Sequence, residues 1–243
     1  MKKRVLIITS LIAIIIIILF ILWYFGIIIF NYPSEEKYEI RGVDVSDYQG
    51  NIDWDSLSNQ GIKFAFIKAT EGSYFVDRSF NINYENARKT NLKVGAYHFF
   101  SYDSQGNRQA DNFIRNVPKT DDMLAPAIDI EFYGDKQRNI PNVEETQKQL
   151  GIMLKRLEDY YEKKPIIYAT YKSYNLYIAN NFNDNAIWIR DVYFTPKLKD
   201  NREWTFWQFT NKARLIGYDG KENRIDMNVF NGNAKEFNKL FNE

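Results

Sequence analysis

The 243-residue sequence contains no cysteine and a single histidine, His98. Without thiols it forms no disulfide, thiolate zinc site or cysteine nucleophile. With one histidine it builds no multi-histidine metal centre, and any Ser-His-Asp triad would depend on His98. A surplus of either charge is also missing: Lys and Arg supply 32 residues, Asp and Glu 31. Residues 1–30 hold Lys2, Lys3 and Arg4 and no acid, so the remainder carries 29 bases against 31 acids, net −2. A nucleic-acid partner would favour a basic face, and this balance predicts none. No metal or cofactor is expected, and acid–base chemistry falls to carboxylates.

What the chain does have is a long apolar run. Val5 to Phe30 holds 26 residues without a charge. As a helix it would measure about 39 Å, against roughly 30 Å of bilayer hydrocarbon, so it spans with tilt. Its isoleucine-rich composition suits lipid, where the alternative to helix is unsatisfied backbone. Lys2, Lys3 and Arg4 fit the positive-inside rule, and Trp23 and Tyr24 fit the far interface. A cleaved signal peptide would have a shorter apolar core and a small-x-small site, which this run lacks. The expectation is an uncleaved, single-pass signal-anchor (residues 1–30), a tether (31–38) and an extracytoplasmic domain (39–243).

From Ile40 onward, short apolar runs alternate with amphipathic stretches. The runs are 40–46, 64–70, 93–100, 125–131 and 165–170. Between them, residues 142–162 space Val143, Leu150, Met153 or Leu154, Leu157 and Tyr160 or Tyr161 at helical intervals, with Asn142 and Glu145 placed to cap. After 185 the runs 186–193, 204–210 and 224–230 are joined by irregular segments. Five βα units followed by three strands predict an α/β fold, an irregular TIM-like (β/α)5(β)3 barrel rather than an open sheet. A nucleotide-binding open sheet would want a Gly-rich loop after the first strand, and residues 44–50 are not one.

Strand parity then orients the acids. In Ala127-Ile128-Asp129-Ile130-Glu131 the two isoleucines share one face and the two acids the other, about 6.5–7 Å apart. Asp44 lies between Val43 and Val45, and Asp226 between Ile225 and Met227. These acids are read as lying at or near the C-terminal ends of their runs, with Lys68, Thr70, His98, Tyr168, Arg190 and Gln208. That is the end of a barrel where active sites form. Asp47 and Asp53 are read instead as caps of local turns. Four crowded acids at strand ends raise at least one carboxyl pKa, which a general acid at neutral pH requires.

These blocks together resemble the glycoside hydrolase family 25 muramidases, lysozymes that cleave the bacterial peptidoglycan backbone. The resemblance runs from Arg41 to Phe230 through GVDVSDYQG, FAFIKATEG, VGAYHFF, AIDIEFYG, KPIIYAT, IWIR, FWQFT and IDMNVF. It implies hydrolysis of the β-1,4 bond between N-acetylmuramic acid and N-acetylglucosamine of a peptidoglycan glycan strand. It implies that Glu131 is the proton donor, Asp129 its partner, and Asp44 and Asp226 two further acids of the site. Tyr97, Tyr168 and Trp188 match positions near the mouth and are candidate sugar contacts, with His98 and Gln208 beside them. Arg190 departs from the small residue of many members and is assigned to an outer sugar or stem-peptide contact. Two routes stay open: attack by the substrate's own 2-acetamido oxygen with Asp129 stabilising the charge, or activation of water for inversion.

Two other functions compete. A chitinase-like glycosidase resembles D-x-D-x-E, but Ala127 holds the position of its first acid. A non-catalytic wall-binding module would be marked by loss of Glu131 or Asp129, and both are present. Beyond the glycan and the membrane no fixed protein partner is predicted.

Overall fold

The computed structural model describes residues 2–240. Its strands are β1 (Arg41–Val45), β2 (Ile62–Glu71), β3 (Phe75–Val76), β4 (Lys93–Phe99), β5 (Ala127–Ile130), β6 (Ile166–Thr170), β7 (Ile187–Arg190), β8 (Phe206–Ala213) and β9 (Ile225–Phe230). Eight of them close a barrel in the order β1-β2-β4-β5-β6-β7-β8-β9, sealed by pairing of β9 to β1. The short β3 folds back antiparallel on β2 as a hairpin lip. All pairings from β1 round to β8 are parallel, whereas β9 runs antiparallel to both neighbours.

Outside the first five barrel strands lie α2 (Trp54–Ser58), α3 (Phe80–Ala87), α4 (Gly106–Asn116), α5 (Val143–Tyr161) and α6 (Tyr171–Ser173), which continues into a π turn over Tyr174–Ile178. This is the expected five βα units and three further strands. The Asn142 carboxamide accepts from Glu145 N–H at the start of α5, satisfying an otherwise orphaned donor. Leu150, Met153, Leu154, Leu157 and Tyr161 are buried on one side of that helix, three to four residues apart as an amphipathic face requires. Of the two tyrosines, Tyr161 turns inward, its hydroxyl donating to Val117 O.

Alternation of side chains divides the core in two. Outward-facing Val43, Val45, Ile128, Ile130, Ile167 and Ile189 pack with the helices. Inward-facing Phe64, Phe66, Ala127, Tyr168, Trp188, Phe206 and Phe230 fill the barrel. Phe66 stacks on Trp188 with centroids 4.7 Å apart. Gly42 and Gly95 make room for this plug: an added Cβ would lie 2.3 Å from the Phe64 ring and 2.6 Å from that of Phe66.

The N-terminal apolar run forms α1 (Lys2–Tyr24), a helix long and apolar enough to cross a membrane, with no buried residue. It ends six residues before the run's apolar limit, and Gly26 turns the chain with φ +70°. Residues 31–33 of the expected tether lie against the domain. The Asn31 amide donates to Asp191 O and Phe209 O, the Tyr32 ring meets Phe209 edge-on, and Arg41 donates to Pro33 O.

Candidate active site

At one end of the barrel the aromatic plug gives way to a cavity of about 210 Å³, whose walls include Asp44, Lys68, Tyr97, Phe99, Asp129, Glu131, Tyr168, Trp188, Gln208 and Asp226. Of the ten residues given a catalytic or sugar-binding role from the sequence, eight thus converge, and His98 and Arg190 do not line the cavity. The acids reach this end by two routes. Asp44 and Asp129 lie near the C-terminal ends of β1 and β5, and Glu131 just beyond β5. Asp226 does not share that position: it is the second residue of β9. It arrives at the mouth because β9 runs the other way, which sets Asp226 opposite Asp44 in the β1–β9 register.

A chain of amides and rings holds this acid pair. Gln208 Nε2 donates to Asp44 Oδ1 at 2.9 Å and Oδ2 at 3.1 Å, and to Asp226 Oδ2 at 3.0 Å. Asn228 Nδ2 donates to Asp44 Oδ1 at 2.7 Å. Behind them, the Tyr168 hydroxyl donates to Gln208 Oε1 and Trp188 Nε1 to Asn228 Oδ1, fixing which end of each amide faces the acids. Tyr168 and Trp188 therefore orient these amides as well as lining the cavity. Asn228 was missed in the sequence, although it is two residues from Asp226 and so shares its face.

Asp129 is held differently. Its Oδ1 is buried without a hydrogen-bond partner among the described residues. Burial, then the neighbouring Glu131 charge, pushes its pKa well above the usual carboxylate range. Glu131 is raised as well, chiefly by burial and also by Asp44, with Arg190 and Lys68 opposing. Burial raises Asp44 to about 6 against the pull of Asn228, Gln208 and Arg190. Asp226 is pushed well above its ordinary value by burial and by the Asp44 charge. Desolvated like charges oppose one another's ionisation, so these carboxyls hold their protons to higher pH than they would in water.

Arg190 sits at the end of β7, and its guanidinium lowers the pKa of Asp44, Glu131 and Asp226. It also lines a second, smaller cavity with Trp23, Tyr193 and Lys212. Lys68, in the cleft wall, pairs with Glu71 at 2.8 Å. Its place at the end of a strand run puts it at this end of the barrel in the sequence.

His98 is a correction. It is fully buried on the outer side of the barrel wall, where Nδ1 meets Thr70 Oγ1 at 2.7 Å and Nε2 meets Gln109 Oε1 of α4 at 3.1 Å. Neighbours along a strand face opposite ways, so with Tyr97 in the cleft His98 is turned from it. Thr70 is drawn outward with it: the β2–β4 register shifts between Lys68 and Thr70. Asp53 caps α2 as expected, accepting from Ser56 N–H. Asp47 does not cap. Ser46 accepts at that turn, and the Asp47 carboxylate pairs with Arg78 at 2.7 Å.

Residues 43–218 match the model of the family described as glycosyl hydrolases family 25. That span stops short of β9. Among solved structures, the chain is similar to a family 25 glycosyl hydrolase from Bacillus anthracis. The two are 54% identical with a TM-score of 0.82, covering 86% of this chain and 96% of that one. The bacterial lysozyme from Streptomyces coelicolor gives 30% identity and a TM-score of 0.74, covering 84% of this chain and 97% of that one. Lysozyme M1 of Streptomyces globisporus is 31% identical over 215 residues, 84% of this chain and 71% of the relative.

Proposed function

The chain belongs to the glycosyl hydrolases family 25, and on that premise we propose that it is a muramidase. It cleaves the β-1,4 bond between N-acetylmuramic acid and N-acetylglucosamine of peptidoglycan. Glu131 is the general acid, Asp129 assists, and Asp44 and Asp226 complete the charge of the cleft. The observation that carries this reading is the pair Asp129–Glu131, desolvated at the mouth of a barrel with both pKa values raised. A carboxyl kept protonated near neutrality can give its proton to a glycosidic oxygen as the bond breaks. The Tyr97 and Tyr168 phenols, their pKa values raised by burial, remain neutral hydrogen-bonding groups in the same cleft.

The unpartnered Asp129 oxygen supports the substrate-assisted route. A 2-acetamido N–H donating to it would favour its ionised form, against the burial that raises its pKa, and that negative charge would stabilise the cation formed when the acetamido oxygen attacks the anomeric carbon. Tyr97, Tyr168, Trp188 and Gln208 line the sugar site in this reading, and Arg190 acts from its rim. Mass spectrometry of digested peptidoglycan tests the bond assignment: products must end in reducing N-acetylmuramic acid, and reducing N-acetylglucosamine would overturn it. NMR of the first-formed anomer should give retention, and inversion would reject the substrate-assisted route.

We also assign residues 1–30 to a cytoplasmic tip and signal-anchor, 31–38 to a connecting segment and 39–243 to the catalytic domain, outside the cytoplasm. The length and apolarity of α1 support the anchor. Carbonate washing should leave the protein in the membrane fraction, and release would reject it.

A further inference from the structure

The last turn of α1 does not project freely from the domain. Lys212 Nζ lies 3.6 Å from the centre of the Trp23 ring, Tyr193 is 6.4 Å from the same ring, and Arg224 donates to Tyr24 O. The domain residues involved follow β7, end β8 or precede β9, which places them at the mouth end of the barrel. Arg190 joins the two regions, lining the cavity beside Trp23 while its charge acts on Asp44, Glu131 and Asp226. If α1 spans the bilayer, the interface level fixed by Trp23 runs along this side of the domain.

Two large apolar side chains are exposed there. Tyr193 is 60% and Phe194 74% accessible. Their loop is held by Asp191, whose Oδ1 accepts from the N–H groups of both residues at 2.9 Å. The same residue's carbonyl accepts from Trp207 Nε1 and from Asn31 in the segment leaving α1. The rings are thus presented on a fixed turn, joined to the end of the anchor. Aromatic rings with cations alongside suit the headgroup layer, where the rings enter the boundary and the charges meet phosphate.

We propose that Tyr193 and Phe194, flanked by Lys212 and Arg224, form a second membrane contact that seats the domain on the phospholipid surface from which α1 emerges, with the catalytic mouth beside the bilayer. The proposal rests on the anchor reading. It makes glycan close to the membrane the substrate within reach, and it makes α1 and the loop act as two attachment points that restrict rotation of the domain.

The absence of cysteine permits single-site labelling of the full chain. Thr195→Cys, beside the loop, and Asn91→Cys, in the turn before β4 at the opposite barrel end, would each carry an environment-sensitive fluorophore. The full-length proteins would be reconstituted in phosphatidylglycerol-containing vesicles bearing headgroup- or acyl-spin-labelled lipid. The label at 195 should be quenched and that at 91 not, and Tyr193→Ser with Phe194→Ser should abolish the quenching at 195. Protein retained through a carbonate wash but equally unquenched at both sites would overturn the second contact while leaving the anchor intact. Quenching at 195 that survives the double substitution would also overturn it. Release by carbonate would overturn the anchor and this proposal together.

Discussion

Asp44 and Asp226 stand opposite each other across the antiparallel β1–β9 pair, and one amide nitrogen, Nε2 of Gln208, donates to both. Like charges directly opposed in a sheet are destabilising. The shared donor offsets part of that cost and also restrains these acids beside Asp129 and Glu131.

Gln208→Met tests this arrangement. Loss of the amide removes an interaction that favours ionised Asp44, so the Asp44 pKa rises further from about 6. A raised folded pKa gives stability that is complete below the unfolded value, 3.8, and is lost as pH rises through the folded value. The variant should therefore lose more stability at pH 8 than at pH 5. The pH-8 loss should be about 1–3 kcal/mol in denaturant melts. Equal losses at both pH values would refute the charge argument.

Glu131→Gln should lower turnover on peptidoglycan by roughly 10²-fold or more, the scale of a lost general acid. Binding to insoluble wall and the thermal midpoint should be retained. Near-normal release of reducing ends would exclude Glu131 as the acid, whereas wall binding by the unsubstituted protein without any release would favour the binding-module reading.

Arg190→Gln should move the alkaline limb of the pH–rate profile upward. The guanidinium favours the ionised forms of Glu131, Asp44 and Asp226. Without it the acid keeps its proton to higher pH. A limb that moved down, or stayed in place while KM alone changed, would restrict Arg190 to substrate contact.

His98 should act on stability rather than on chemistry. Burial lowers its pKa from 6.5 to about 4, so the folded protein refuses a proton that the unfolded chain takes up. That contribution is present above pH 6.5 and lost as pH falls towards 4. His98→Ala should cost about 2–4 kcal/mol, from the cavity and from the stranded Thr70 and Gln109. The limbs of its pH–rate profile should not move. A displaced limb would return His98 to the active site.

Much of this site is written in strand parity. Alternation sent Ile128 and Ile130 to the helices and Asp129 to the cleft. It was equally sufficient to separate Tyr97 from His98 and to join Asn228 to Asp226. Both assignments follow from alternation along a single strand.

The sequence by itself determined the long apolar N-terminal helix, the order of strands and helices and the face on which each acid projects. These depend on local periodicity and on residue type. Strand direction does not: it is set by which strands pair, and β9 meets β1 from the far end of the chain. Only the tertiary structure brought Asp226 to the mouth from the start of its strand and ran Gln208 and Asn228 across to Asp44. Only it set the end of α1 beside Arg190. Each of these depends on contacts between segments distant in sequence, for which neither spacing nor composition carries a signal.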